Sequence, residues 1–130
     1  MGSEPFGGAR EGPIEGIDAV TLHIADMARS VAFYEALGFE VEVGGADAAF
    51  TTFRAGRSFL NLQLDPPRAP SGVWGRVIFF VDDVDAMHAR VVAAGAAPDG
   101  PPTDAPWGER YFHAHDPDGH ELSFARPITP

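Results

Sequence analysis

Cysteine is absent from all 130 residues, which removes disulfides, thiolate metal ligands and cysteine nucleophiles together. Lysine is absent as well, since all nine basic residues are arginine. Schiff-base chemistry and a lysine-bearing phosphate loop are therefore excluded. No run of about 18 apolar residues occurs, so no membrane span is expected. The opening MGSEPFGGAREG carries no apolar stretch of the secretory kind, and a cytoplasmic location is the expectation. Basic charge is scarce too: 19 acidic residues against nine basic give a net charge of −10. That sets nucleic acid aside as a partner, because its phosphates need clustered cations. The acidic surface serves solubility and, at long range, favours a cationic ligand. With 45% apolar residues, the chain is expected to fold as one globular domain.

What is present is a pattern stated twice. AVTLHIADMARSVAFYEALGF begins at Ala19, and RVIFFVDDVDAMHARVVAAGA begins at Arg76. Superposed, Ile24 meets Val81, Asp26 meets Asp83, Leu37 meets Ala94 and Gly38 meets Gly95. Each copy is a β-branched and aromatic run, an acidic helix start, and helical periodicity that stops at glycine. Such a repeat predicts two equivalent supersecondary units facing one cavity.

Residues 1–16, rich in Gly, Glu and Pro, read as a flexible N-terminal arm. Ile17 to Ile24 reads as a strand, and Asp26 as the cap of a helix that runs from Met27 to Leu37 and ends at Gly38. Phe39 to Val43, Ala49 to Arg54 and Ser58 to Leu64 follow as strands between the turn signals GGAD and AGR. Residues 65–75 form a proline-broken connector. The second unit opens with a strand from Arg76 to Val81, and Asp83 caps a helix with Val84, Met87, Val91 and Ala94 on one stripe. Strands are expected near Ala96 to Pro98, Glu109 to His115 and His120 to Ala125. Residues 99–108 read as a loop over the cavity mouth, and DPDG at 116–119 as a turn.

Taken in order, the Asp26–helix–Phe33–Tyr34–Leu37–Gly38–Phe39 stretch, the second strand–Asp–helix unit, WGER at 107–110 and DPDGHELSF at 116–124 resemble the vicinal-oxygen-chelate superfamily. That superfamily includes glyoxalase I, extradiol dioxygenases and bleomycin-resistance proteins. The resemblance spans about residues 17–126. It implies one α+β domain of two βαβββ modules (about 17–64 and 76–126), with curved mixed sheets forming a cup and helices on the convex side. It also implies a homodimer.

The resemblance further implies where metal-dependent members would hold an ion: at Ala19, Asn61, Arg76 and Ser123. A divalent ion needs imidazole, carboxylate or thiolate donors, so no metal and no other cofactor is expected here. Without the ion, isomerase or dioxygenase chemistry of the metal-dependent kind is in doubt.

Strand alternation then names the cup face. Ala19 shares its face with Thr21 and His23, Asn61 with Phe59 and Gln63, Arg76 with Ile78 and Phe80, and Ser123 with Glu121 and Ala125. Tyr111, His113 and His115 join them from the penultimate strand. The opposite parity, including Val20, Leu22, Leu60, Leu62, Leu64, Val77, Phe79, Leu122 and Phe124, packs beneath the helices. Arg76 either grips a ligand anion or pairs with Glu121. His23 is either a base tuned by Glu121 or a satisfied interior histidine. Trp74 and Trp107, on rim loops, either stack on a flat ligand or act as plain lids.

The expected function is therefore small-molecule binding of the glyoxalase/bleomycin-resistance type, with sequestration of an aromatic or antibiotic-like ligand. The competing expectation is a lyase, isomerase or dioxygenase-type enzyme, using either a relocated metal on His23, His113 and Glu121 or a His23/Glu121 acid–base pair.

Overall fold

The computed structural model describes residues 12–65 and 74–128. Most of the expected arm (1–11) and most of the connector (66–73) lie outside the described residues. The first unit is β1 (Ala19–Ile24), α1 (Met27–Leu37), β2 (Glu40–Val43), β3 (Phe50–Ala55) and β4 (Ser58–Leu64). The second is β5 (Arg76–Phe80), α2 (Val84–Ala93), β6 (Thr103–Asp104), β7 (Glu109–His115) and β8 (Glu121–Pro127). Each unit forms an open four-stranded sheet, in the orders β1-β4-β3-β2 and β5-β8-β7-β6. β1 runs parallel to β4 and β5 parallel to β8, while the remaining pairs are antiparallel. The architecture is the α+β pair of βαβββ modules. No helix among the described residues is long and apolar enough to cross a membrane.

The repeat holds at the level of single atoms. Asp26 Oδ1 accepts from the Arg29 N–H at 3.0 Å, and Asp83 Oδ1 accepts from the Ala86 N–H at 2.9 Å. Both carboxylates thus satisfy an otherwise orphaned helix donor. At the end of α1, Gly38 adopts φ 109, where its N–H reaches Glu35 O and the next N–H, from Phe39, reaches Tyr34 O. This cap explains why β2 starts at Glu40 rather than Phe39: the Phe39 N–H belongs to the helix end.

One apolar core runs beneath both sheets. Leu22 and Ile24 of β1, Leu60 and Leu62 of β4, and Leu122 and Phe124 of β8 are buried against Val31, Tyr34 and Leu37 of α1 and Val91 of α2. Phe39 of the first module meets Phe79 of the second edge-on at 5.0 Å. Leu64, expected in the core, is 42% exposed because it ends β4.

The second module corrects two strand expectations. Ala96 to Pro98 forms no strand, since Pro98 lacks the N–H a ladder needs. The short β6 lies instead inside the segment read as a loop. Thr103 and Asp104, just past Pro101 and Pro102, pair with Tyr111 and Arg110, and Arg110 Nη1 donates to Asp104 Oδ1 at 2.9 Å. At the other end, β8 starts at Glu121 because the His120 N–H is taken by Asp116 Oδ1 at 2.9 Å.

DPDG is a turn, and it is also the latch between modules. Asp118 Oδ1 accepts from the Ala25 N–H at 2.9 Å and from Arg29 Nη2 at 3.1 Å, while Oδ2 accepts from Ser30 Oγ at 3.1 Å. Asp116 Oδ2 accepts from the buried Tyr34 hydroxyl at 2.8 Å. Its Oδ1 accepts from the backbone N–H groups of Asp118 and His120. Burial outweighs these bonds and raises the Asp116 carboxyl above the ordinary carboxylate range.

Candidate functional site

The strand faces turned away from the helices carry the residues expected in the cup. On the first sheet, Thr21, Asn61 and Thr52 form a side-chain ladder across three strands. Asn61 Nδ2 donates to Thr21 Oγ1 at 3.2 Å, and Thr52 Oγ1 donates to Asn61 Oδ1 at 2.8 Å. Phe59 lies at the near end, with the Arg54 guanidinium 5.4 Å from its ring centroid. At the far end Gln63 is the register partner of both His23 and Phe50.

His23 and Glu121 are not partners, which corrects the acid–base pairing expected from sequence. His23 Nδ1 is hydrogen-bonded to Asp65 Oδ2. Asp65 directly follows β4, and its N–H donates to Ile24 O at 2.9 Å, so the ends of the two parallel strands bring the pair together. Glu121 instead meets Arg76, its register partner on β5, with Oε2 2.5 Å from Nη2. The guanidinium side chain is 46% exposed and the carboxylate only 13%. Of the two roles open to Arg76, the internal pair is thus present in the structure.

That pair gives a direct expectation. Arg76→Ala leaves a mostly covered carboxylate without its cation and should cost about 1–2 kcal/mol of stability. Adding Glu121→Gln should restore most of it, as read from paired urea-unfolding curves. A double variant no more stable than the single one would mean that the two side chains act independently.

Along β7 the cup face is aromatic. Trp107 stacks on Tyr111 with centroids 5.7 Å apart, and Tyr111 meets His113 at 5.1 Å. Trp107 Nε1 donates to Glu109 Oε1 at 3.1 Å. His113 Nδ1 is buried and has no hydrogen-bond partner among the described residues. Burial first, and the neighbouring Arg76 charge second, lower the His113 pKa below the ordinary histidine value, favouring the neutral ring. Ser123 sits between Ile78 and His113 on the flanking strands and is only 3% exposed, a floor residue rather than a wall. Ile78 and Phe80 on the edge strand β5 are largely open, at 60% and 47%.

His120 had no role in the sequence reading beyond opening a strand. Its Nδ1 accepts from Trp74 Nε1–H at 2.8 Å, and its Nε2–H donates to the His23 carbonyl at 2.7 Å. Since an indole nitrogen only donates, this fixes the His120 tautomer. It also ties the rim tryptophan to the end of β1. A separate depression of about 370 Å³ lies outside the cup, lined by Asp82, Asp104, Arg110 and Arg126 among others. Arg110 there is held by Asp85 of α2 through paired bonds of 3.0 and 2.9 Å, on the helix side of the sheet.

The profile of the Glyoxalase/Bleomycin resistance protein/Dioxygenase superfamily matches residues 16–124. The chain belongs to this superfamily. Among solved structures it is similar to TioX from Micromonospora sp. ML1, at 27% identity and a TM-score of 0.68, over 87% of this chain and 99% of that one. It is also similar to a glyoxalase-related enzyme from Fulvimarina pelagi, with 22% identity, TM-score 0.71, and 86% and 88% of the two chains covered. A glyoxalase/bleomycin resistance protein/dioxygenase family enzyme from Burkholderia phytofirmans PsJN gives 19% identity and a TM-score of 0.73, over 85% and 98%. The latter two likenesses speak to fold alone. No protein of curated function matches the chain.

The four positions where the superfamily resemblance places a metal do not fit one here. Ala19 has no donor atom, and both ends of the Asn61 amide are engaged by threonines. Arg76 brings a positive charge already held by Glu121, and Ser123 is covered. A divalent ion would meet a cation and neutral, occupied donors. Among the described residues no group of three or more His, Asp or Glu side chains is placed to share an ion, so His23, His113 and Glu121 do not converge as a relocated set.

Proposed function

We propose that this chain is a small-molecule-binding member of the superfamily that works without the metal, holding a planar aromatic ligand with a hydrogen-bonding edge. The observation that carries this reading is the row of rings on the cup face, Trp107 stacked on Tyr111 and Tyr111 against His113. A planar ligand can stack on this row, and an open cup with aromatic walls and a few polar groups suits such a molecule. The Arg76–Glu121 pair is internally neutral and sets a donor beside an acceptor, which favours a neutral polar edge over a bare anion. The family description includes bleomycin resistance, which supports an antibiotic-like ligand and sequestration as its fate.

The test separates binding from stability. Fluorescence titration with bleomycin and a panel of planar heteroaromatics should give saturable quenching that survives chelator treatment. Trp107→Ala should weaken the hit about tenfold, near 1.4 kcal/mol, while leaving thermal stability nearly unchanged, because the ring is 68% exposed. Equal affinity in the variant would overturn the reading, and so would binding that disappears with chelator.

A further inference from the structure

His23 occupies the penultimate position of β1 on the cup face, and its bond to Asp65 determines more than its position. An ionised carboxylate can only accept, so Nδ1 carries a proton, and in the neutral ring Nε2 then holds the lone pair. Nε2 has no hydrogen-bond partner among the described residues. The exposures differ in the useful sense: the His23 side chain is 49% open, whereas that of Asp65 is 19% open. The backbone on both sides is fixed, by His120 Nε2–H on the His23 carbonyl and by the Asp65 N–H on Ile24 O. Gln63 is the register neighbour of His23, and the half-open Phe50 lies one strand further on in the same row. The Trp74–His120 bond brings the start of β5, and with it Arg76, to the same junction. An oriented imidazole with a solvent-open Nε2 and a shielded carboxylate behind it is the arrangement proton abstraction requires.

We infer that His23 and Asp65 form a metal-independent general-base dyad that removes an acidic C–H proton from a small planar molecule held in the cup. The inference rests on the reading that the cup admits such a ligand, and adds a reaction to it. His23 is the catalytic residue and Asp65 the positioning residue. The step needs no co-reactant. With 5-nitrobenzisoxazole as probe, the C–H bond breaks and its proton moves to Nε2. The C–H electron pair becomes a π bond of the new nitrile, the N–O bond breaks, and the oxygen leaves as a coloured phenolate. The proton on Nε2 then returns to water.

The full chain should turn over this probe faster than an equal concentration of free imidazole. His23→Gln keeps a donor for Asp65 but offers no base, and should lower kcat at least about 100-fold, the lower end for general-base catalysis. Asp65→Asn should lower kcat about tenfold at unchanged KM, and Asp65→Glu should recover part of it. His88→Gln, which alters a histidine held by Gly100 O on the helix side, should leave the rate intact. Circular dichroism confirms folding of each variant. Quenching of Trp74 and Trp107 by the probe reports binding separately. Saturable quenching without turnover overturns the dyad, and so does full turnover in His23→Gln. His23-dependent turnover without saturation keeps the dyad and removes the cup reading, whereas neither signal removes both.

Discussion

Asp116→Ala should destabilise the protein by about 3–5 kcal/mol, more than any surface substitution. Asp116 is 5% exposed and Tyr34 is fully covered. Truncation strands the Tyr34 hydroxyl and two backbone N–H groups, of Asp118 and His120, each of which needs a partner once away from water. Urea unfolding at neutral pH measures the loss. Tyr34→Phe removes one donor only and should cost about 1.5–3 kcal/mol. The same contact gives a pH dependence of definite sign. Burial, and then the charge of Asp116 and its hydrogen bond, raise the Tyr34 phenol well above its ordinary value of about 10. The folded phenol therefore stays protonated where the unfolded one ionises. Its contribution is fully present below about pH 10 and is lost as pH rises from there toward the raised folded value. Tyr34→Phe should flatten this alkaline limb. A wild-type stability curve that stays level up to pH 11 would contradict the assignment.

Asp118→Ala should cost about 2–4 kcal/mol and do so in a different manner. Its carboxylate receives the Ala25 N–H, Arg29 Nη2 and Ser30 Oγ, all from the first module. Bonds to a charged acceptor are worth about 1.5–3 kcal/mol each when little exposed, and less than additively together. Since these bonds tie one module to the other, their loss should also lower the cooperativity of unfolding. Calorimetry should show a broader transition, with the van't Hoff enthalpy below the calorimetric one. A loss under 1 kcal/mol with a sharp transition would mean that the apolar core alone joins the modules.

The sequence made the scaffold readable because its signals are local. Asp26 and Asp83 precede helical stripes, Gly38 stops one of them, and the alternation of LNLQL declares which side of β4 is buried. The short β6 was hidden behind prolines. Its pairing depends on Thr103 and Asp104 lying opposite Tyr111 and Arg110, a non-local fact. The site was legible by face and not by partner. Parity placed His23 and Glu121 on the cup side, yet their actual partners, Asp65 and Arg76, follow from the register of parallel strands. DPDG illustrates the limit well. Turn chemistry accounts for its shape, but the task of its two carboxylates is set by residues 82 to 93 positions away. Two aspartates in a turn of four residues were the available signal.

The Thr21–Asn61–Thr52 ladder has a consequence for any ligand. A duplicated chain offers two walls related by approximate symmetry, and a symmetric receptor would accept a guest in either of two orientations. Here the middle of the first wall has closed its own valences, since amide and hydroxyls satisfy one another across β1, β4 and β3, and the open nitrogen of that wall lies at its end, on His23. The second wall offers rings instead, with Trp107, Tyr111 and His113 in one row. The orientational degeneracy inherited from duplication is thereby lifted: a planar guest would lay its flat face on the ring row of the second module and turn its hydrogen-bonding edge toward the His23 end of the first, away from the closed ladder.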